Sequence, residues 1–267
     1  MFARKVKNVV SRMAESKVVN YDALTRAVVS TASVDMDTSI KNLIPDDELA
    51  GRTMITVSQN VDQGDRVGNK IRPVSAILRG CVRINTVFEQ TTNYNPCPVR
   101  VTMWICKLQK TLQDDVTTFM QVVRNSFFQS GSISVGFTGQ LFDLTKAVNR
   151  DQIILVKRRS WVLGNSEYSA AFNATSANNA AQRFMNNDAS MSKMFRINLT
   201  KQYPKMIRFN DGTDIASNCR KMYLMFTVHR VDGNIPVTGT TGVPPSSVNG
   251  PVPAYVDLGF EMKYKDF

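Results

Sequence analysis

The residues able to do chemistry in this chain are few and scattered. A single histidine, His229, stands near the end of an alternating apolar run. A nucleophilic triad needs an imidazole within reach of both a hydroxyl or thiol and an orienting acid. Nothing in the sequence beside His229 singles out either partner, and its expected place is an exposed strand position. One histidine also cannot build a two- or three-histidine metal site within one chain. Cys81, Cys97, Cys106 and Cys219 form no CxxC pair and no Cys/His cluster, so zinc spacing is absent. They read as reduced and structural, Cys81 and Cys106 as small buried hydrophobes. Asp46, Asp47 and Glu48 could contribute to a calcium cage but read as a solvated acidic turn. The stretch from Gly64 to Lys70 has the glycines and lysine of a phosphate loop, yet lacks its Gly-Lys-Ser/Thr ending and following helix, and reads as a sheet connection. Sequons at Asn173 and Asn198 carry weight only on a secretory route. A carboxylate pair for glycoside hydrolysis depends on spatial separation, which sequence does not reveal, and nothing favours one. The expectation is a non-enzyme with no catalytic residue, metal or cofactor.

Charge is more informative. Thirty-three Lys and Arg against 22 Asp and Glu give +11 over 267 residues, which suggests a polyanionic partner. Residues 1–50 hold seven basic and seven acidic side chains, so the whole excess lies beyond residue 50. Within the neutral part, Arg4, Lys5, Lys7, Arg12 and Lys17 stand against Glu15 alone. The 43% hydrophobic content excludes global disorder, and no apolar run approaches the ~20 residues of a membrane span. A soluble, non-secreted chain is expected.

Positioning these residues requires elements. Residues 1–50 read as a partly helical arm: Phe2, Val6, Val9, Val10 and Met13 follow helical spacing with the basic residues opposite. From residue 54 the period changes to two. Eight strands are expected, at 54–61, 73–86, 99–108, 151–163, 193–200, 205–209, 220–231 and 254–264. In the second, Ala76, Leu78, Gly80, Val82 and Ile84 share one face, and Ile77, Arg79, Cys81, Arg83 and Asn85 the other. Such alternation belongs to a sheet with one face in the core. One helix interrupts the strands, with Thr111–Asp114 resembling a capping box ahead of Val116, Phe119, Met120, Val123 and Phe127. The Asn/Ala/Ser-rich stretch 165–192 and the Gly/Pro-rich stretch 232–253 read as long surface loops. The pattern predicts an all-β antiparallel sandwich over 51–267, most simply an eight-stranded single jelly roll with an N-terminal arm and one inserted helix.

The order of these features resembles the capsid proteins of small circular Rep-encoding single-stranded DNA (CRESS DNA) viruses. Gly64-x-Arg66-x-Gly68-x-x-Ile71 leading to Leu78-Arg79-Gly80 is similar to the start of their shell, and Val101-Thr102-Met103-Trp104-Ile105 to an early strand. Asn149–Leu155, Asn218–Tyr223 and the alternating end Tyr264-Lys265-Asp266-Phe267 match later segments in the same order. The likeness spans about residues 54–267. It implies a jelly roll whose copies, about 60 of them, close into an icosahedral virion around a single-stranded genome, DNA favoured over RNA, assembled in the host nucleus or cytoplasm. In such shells the strands named B, I, D and G form the sheet nearer the lumen, here the first, eighth, third and sixth expected strands. Their outward side chains, Arg100, Arg208, Lys263 and Lys265, together with Arg4, Lys5, Lys7, Arg12 and Lys17, become the expected nucleic-acid contacts. The dense Arg-rich arm common in that family is reduced here to five basic residues among the first 17. About 60 copies at +11 would offset several hundred phosphates without reading base sequence. The alternatives are a jelly-roll coat of a small RNA virus or satellite, a non-viral β-sandwich module binding glycans or an acidic protein, and, third, an enzyme using His229.

Overall fold

The computed structural model describes residues 15–28, 40–45, 53–60, 65–84, 99–138, 140–164, 192–210, 218–231 and 254–267. The expected helix over Phe2–Met13, the Asp46–Glu48 turn, Cys97, Asn173 and nearly all of both long loops lie outside them.

Alternation is strongest in the last strand, β12 (Ala254–Asp266), which turns Val256, Leu258, Phe260, Met262 and Tyr264 inward. It pairs antiparallel with β3 (Lys70–Ile84), which buries Ile71, Ala76, Leu78 and Val82. On its other side β12 pairs with β1 (Ser16–Val28), from Ser16 opposite Lys265 to Val28 opposite Ala254. The far edge of β3 is taken by β9 (Ser192–Asn198) and then β10 (Ile207–Arg208), two pieces interrupted by a 3-10 helix, Thr200–Gln202. The sheet order is therefore β1-β12-β3 followed by β9 and β10.

The second sheet runs β2 (Lys41–Asn42), β11 (Tyr223–Arg230), β4 (Val99–Leu108) and β8 (Ile153–Leu163), again antiparallel. Its inner face presents Val99, Val101, Met103, Ile105, Leu224, Phe226 and Val228 to the first sheet in one hydrophobic core. The chain is thus an antiparallel all-β sandwich with one α-helix among the described residues.

A segment between β4 and β8 covers the second sheet's outer face. It holds α1 (Val116–Asn125), the short strands β5 (Phe128–Ser130), β6 (Ile133–Val135) and β7 (Ala147–Val148), and a 3-10 helix, Leu141–Thr145. The helix is capped by Asp115, whose carboxylate accepts from Thr118 N at 2.6 Å, so it starts later than the expected box at Thr111. Its Val116, Phe119, Val122 and Val123 join Trp104, Cys106, Tyr223 and Met225 in a second core. Trp104 is fully buried, edge-on to Phe127, Phe128 and Phe137 at 5.4, 6.1 and 5.7 Å, and donates its indole N–H to Thr227 Oγ1 at 3.0 Å. β4 is thus buried on both faces, which accounts for its apolar run Met103–Cys106.

Three expectations about elements are corrected. Residues 16–28 and 41–42, expected within a partly helical arm, are strands of the two sheets, so the sandwich begins before residue 51. The β-branched and aromatic side chains of Val19 and Tyr21 pack on the core, and the supporting partner lies at the other end of the chain. Met54–Val61 is not a ladder strand where it is described. It makes only the isolated bridges Thr53 with Asn42 and Gln59 with Arg66, while Met54, Ile55 and Val57 plug the core. Because the first strand lies earlier than expected, the order shifts by one: the 70–84 strand, not 99–108, pairs with the last.

Candidate nucleic-acid interface

The first sheet's outward positions are charged. Across its middle, Asp22 of β1 lies opposite Gly259, Gly259 opposite Arg79, and Arg79 opposite Arg196 of β9. Neighbouring rows carry Glu261 opposite Ile77, Asp257 opposite Cys81, Tyr255 opposite Arg83, Lys263 opposite Ser75 and Lys265 opposite Arg72. Six cations, Arg72, Arg79, Arg83, Arg196, Lys263 and Lys265, therefore share a face with Asp22, Asp257 and Glu261. Among the described residues of this face only Gly259 is buried. Arg79 pairs with Glu261 at 2.7 Å, Arg83 with Asp257 at 3.3 Å and Lys263 with Glu261 at 3.5 Å. Arg79, Arg83 and Lys263 stay about half exposed in these pairs, so solvent screens them and little energy holds them closed. A shallow depression of about 770 Å³ lies over Gly259, edged by Asp22, Arg79, Cys81, Met194 and Arg196. Met194 is 84% exposed there. A Cβ on Gly259 would meet Asp22 Oδ1 at 2.8 Å, so the floor is open because that position is glycine.

The expected contacts divide. Lys263 is exposed on this face, Lys265 is half-buried on it, and Arg208 is exposed at the sheet's far edge on β10. Lys17 is corrected: it is buried, its ammonium 3.7 Å from Asp266 and 3.6 Å from Glu15, and it donates to the Asp65 carbonyl. Arg100 is corrected as well, for it lies on β4 in the opposite sheet, half-buried, across from His229. Arg4, Lys5, Lys7 and Arg12 fall outside the described residues. The face adds Arg72, Arg79, Arg83 and Arg196, which the sequence reading did not select. For Arg79 and Arg83 the signal was present in the sequence, on the polar side of the alternating 73–86 run.

The loop before β3 is occupied by the protein itself. Arg66 is fully buried; its guanidinium donates to the carbonyls of Val57 at 3.2 Å and Gly68 at 2.8 Å and lies 4.3 Å over the Phe209 ring. The amides that a phosphate loop would offer are taken by Asp266, which accepts from Val67 N at 2.5 Å and Gly68 N at 3.3 Å. Any side chain at Gly68 would collide with the Phe267 carbonyl, which ties the loop to the chain's end. At the second sequon, Asn198 Oδ1 accepts from Thr200 N at 2.9 Å, and Thr200 Oγ1 accepts from Ala76 N at 2.9 Å, a turn that joins β9 to the sheet.

His229 is also corrected, from exposed to fully buried on the covered face of the second sheet. Its Nε2 lies 4.0 Å from Asp143 Oδ2, and neither ring nitrogen has a hydrogen-bond partner among the described residues. Burial pushes the imidazole down to about 4; Asp143 opposes that, and Arg158 and Arg100 add to it. Among the described residues the imidazole hydrogen-bonds neither a nucleophile nor an orienting acid. Cys81, Cys106 and Cys219 are free thiols, and burial pushes Cys219 up to about 12. Among the described residues no group of three His, Cys, Asp or Glu could hold a metal, and no helix is long and apolar enough to cross a membrane. No protein-family model and no curated protein matches the chain.

Proposed function

We propose that the chain is a self-assembling coat subunit that packages single-stranded nucleic acid against the cationic outward face of its first sheet. The observation that carries this is the strand order. Counting β9 and β10 as one interrupted strand and leaving the β4–β8 segment aside, eight strands remain. In chain order the first sheet pairs 1 with 8, 8 with 3 and 3 with 6; the second pairs 2 with 7, 7 with 4 and 4 with 5. That order is the one a jelly roll would have, so it supports reading the sandwich as that architecture, which viral capsids share with lectins and cupins. The sheet holding the first, last, third and sixth strands is the lumen-facing one in the family that the sequence resembles, and here it is the sheet whose outward face carries the six cations.

Binding on that face is phosphate neutralisation. Arginine forks suit phosphate oxygens, and the strand spacing repeats the cations along a flat surface without reading base edges. DNA is preferred to RNA on the resemblance.

Light scattering of the purified chain on a sizing column, with the 260/280 nm absorbance ratio, tests the reading at low and high salt. The expected result is a megadalton particle with a raised ratio at low salt, and sequencing its contents identifies DNA or RNA. A particle free of nucleic acid at every salt would remove packaging. A monomer of ~30 kDa throughout would overturn assembly and leave a β-sandwich binding module.

A further inference from the structure

The polar end of the covered face differs from its aromatic end. Asp143, on the 3-10 helix Leu141–Thr145, is fully buried, and its carboxylate accepts from Thr138 N at 2.7 Å, Thr138 Oγ1 at 2.9 Å and Lys146 Nζ at 2.7 Å, all within its own segment. It approaches His229 without bonding it. Across the ladder, Arg100 Nε is likewise buried without a hydrogen-bond partner among the described residues, and Arg158 spends its Nη2 on the Leu144 carbonyl at 2.8 Å. Three polar nitrogens at this end of the face, two on His229 and one on Arg100, are thus buried without a hydrogen bond among the described residues.

We infer that the segment 109–152 is an acid-released cover, and that a proton taken up at His229 favours the state in which Leu141–Thr145 is lifted off the second sheet. His229 is the chain's only histidine, so it is the side chain that takes up protons between pH 7 and 5 once water reaches it. The charged groups facing it are Asp143 from the cover, Arg158 from β8 and Arg100 from β4, with Lys146 on the far side of Asp143. Two guanidiniums against one carboxylate already bonded elsewhere give the imidazolium no home while the cover is closed. With the closed imidazole near 4 and the open one at its ordinary 6.5, the open-to-closed ratio rises about 20-fold from pH 7 to pH 5. Asp114, in the same segment, is pushed up by burial and so acts with the opposite sign.

Hydrogen exchange of the full chain at pH 7 and 5, corrected for intrinsic rates, tests this. Amides of α1 and the 141–145 helix should lose about 20-fold in protection at pH 5 and stay less protected than those of β3 and β12. His229→Gln should show no such loss. Unchanged protection of the cover, equal protection in cover and central strands at pH 5, or the same loss in His229→Gln would each overturn the inference. Should that variant not fold, the lone imidazole resonance of the wild type decides: a midpoint below 5 is expected, and one at 6 or above overturns it.

Discussion

The two sheets of this molecule share a core and differ in what lies on their backs. The second sheet carries Trp104, Cys106, Tyr223 and Met225 outward and spends some forty residues of the chain covering them. The first carries Arg79, Arg83, Arg196 and Lys263 outward, and among the described outward residues of that sheet only Gly259 is buried. An outward face serves stability where it is apolar, and on the function proposed above it meets a polyanion where it is cationic. Substitutions on the two backs should separate these roles.

The largest effect should come from Trp104→Ala, which empties the aromatic cage under the cover and removes the Thr227 hydrogen bond. A loss of about 3–5 kcal/mol in urea unfolding is expected, with no comparable loss for any single arginine of the first sheet. Next comes pH. The folded imidazole of His229 sits near 4, below its ordinary 6.5, so the unfolded chain binds the proton more tightly. That stabilisation is present above about pH 6.5, falls as pH drops, and is gone near pH 4, a loss of about 3 kcal/mol that His229→Gln should abolish in paired denaturation curves. Asp115→Ala, which uncaps α1, should cost about 1 kcal/mol by the same measurement. The smallest change in stability, within about 0.5 kcal/mol, is expected for Arg79→Gln with Arg196→Gln. That pair should instead flatten the salt dependence of single-strand binding by about 0.7 per lost cation, read as the slope of log affinity against log salt. An unchanged slope would move the interface off this face.

Much of the fold was legible because neighbouring residues carry it. The alternation in 73–86 and 254–264 reports which side chains point inward, and over the described residues 73–83 and 254–264 both runs are strands with those faces. The apolar run Met103–Cys106 reports burial on two faces, a message the single apolar face assigned to it did not use. β1 was hidden by its own composition. Its inward positions begin with Lys17, a residue that reads as solvent-exposed until Asp266, nearly 250 residues later, is folded beside it. Arg66 misleads in the same way, since its burial depends on two carbonyls and the Phe209 ring arriving from elsewhere. On the candidate face, Lys263 was selected from alternation together with the place that the family resemblance gives the last strand, whereas Arg79 and Arg83 required knowing which sheet their strand joins.

Composition and local period were enough to establish an antiparallel all-β chain with a cationic excess, one histidine and no zinc spacing, because each is a property of residues close together or of a simple count. Which strands became neighbours, which cations kept their water and that His229 lost its own were settled by long-range pairing. A strand's pattern states which face is buried but not against what, and the identity of the partner face is a fact about the whole chain.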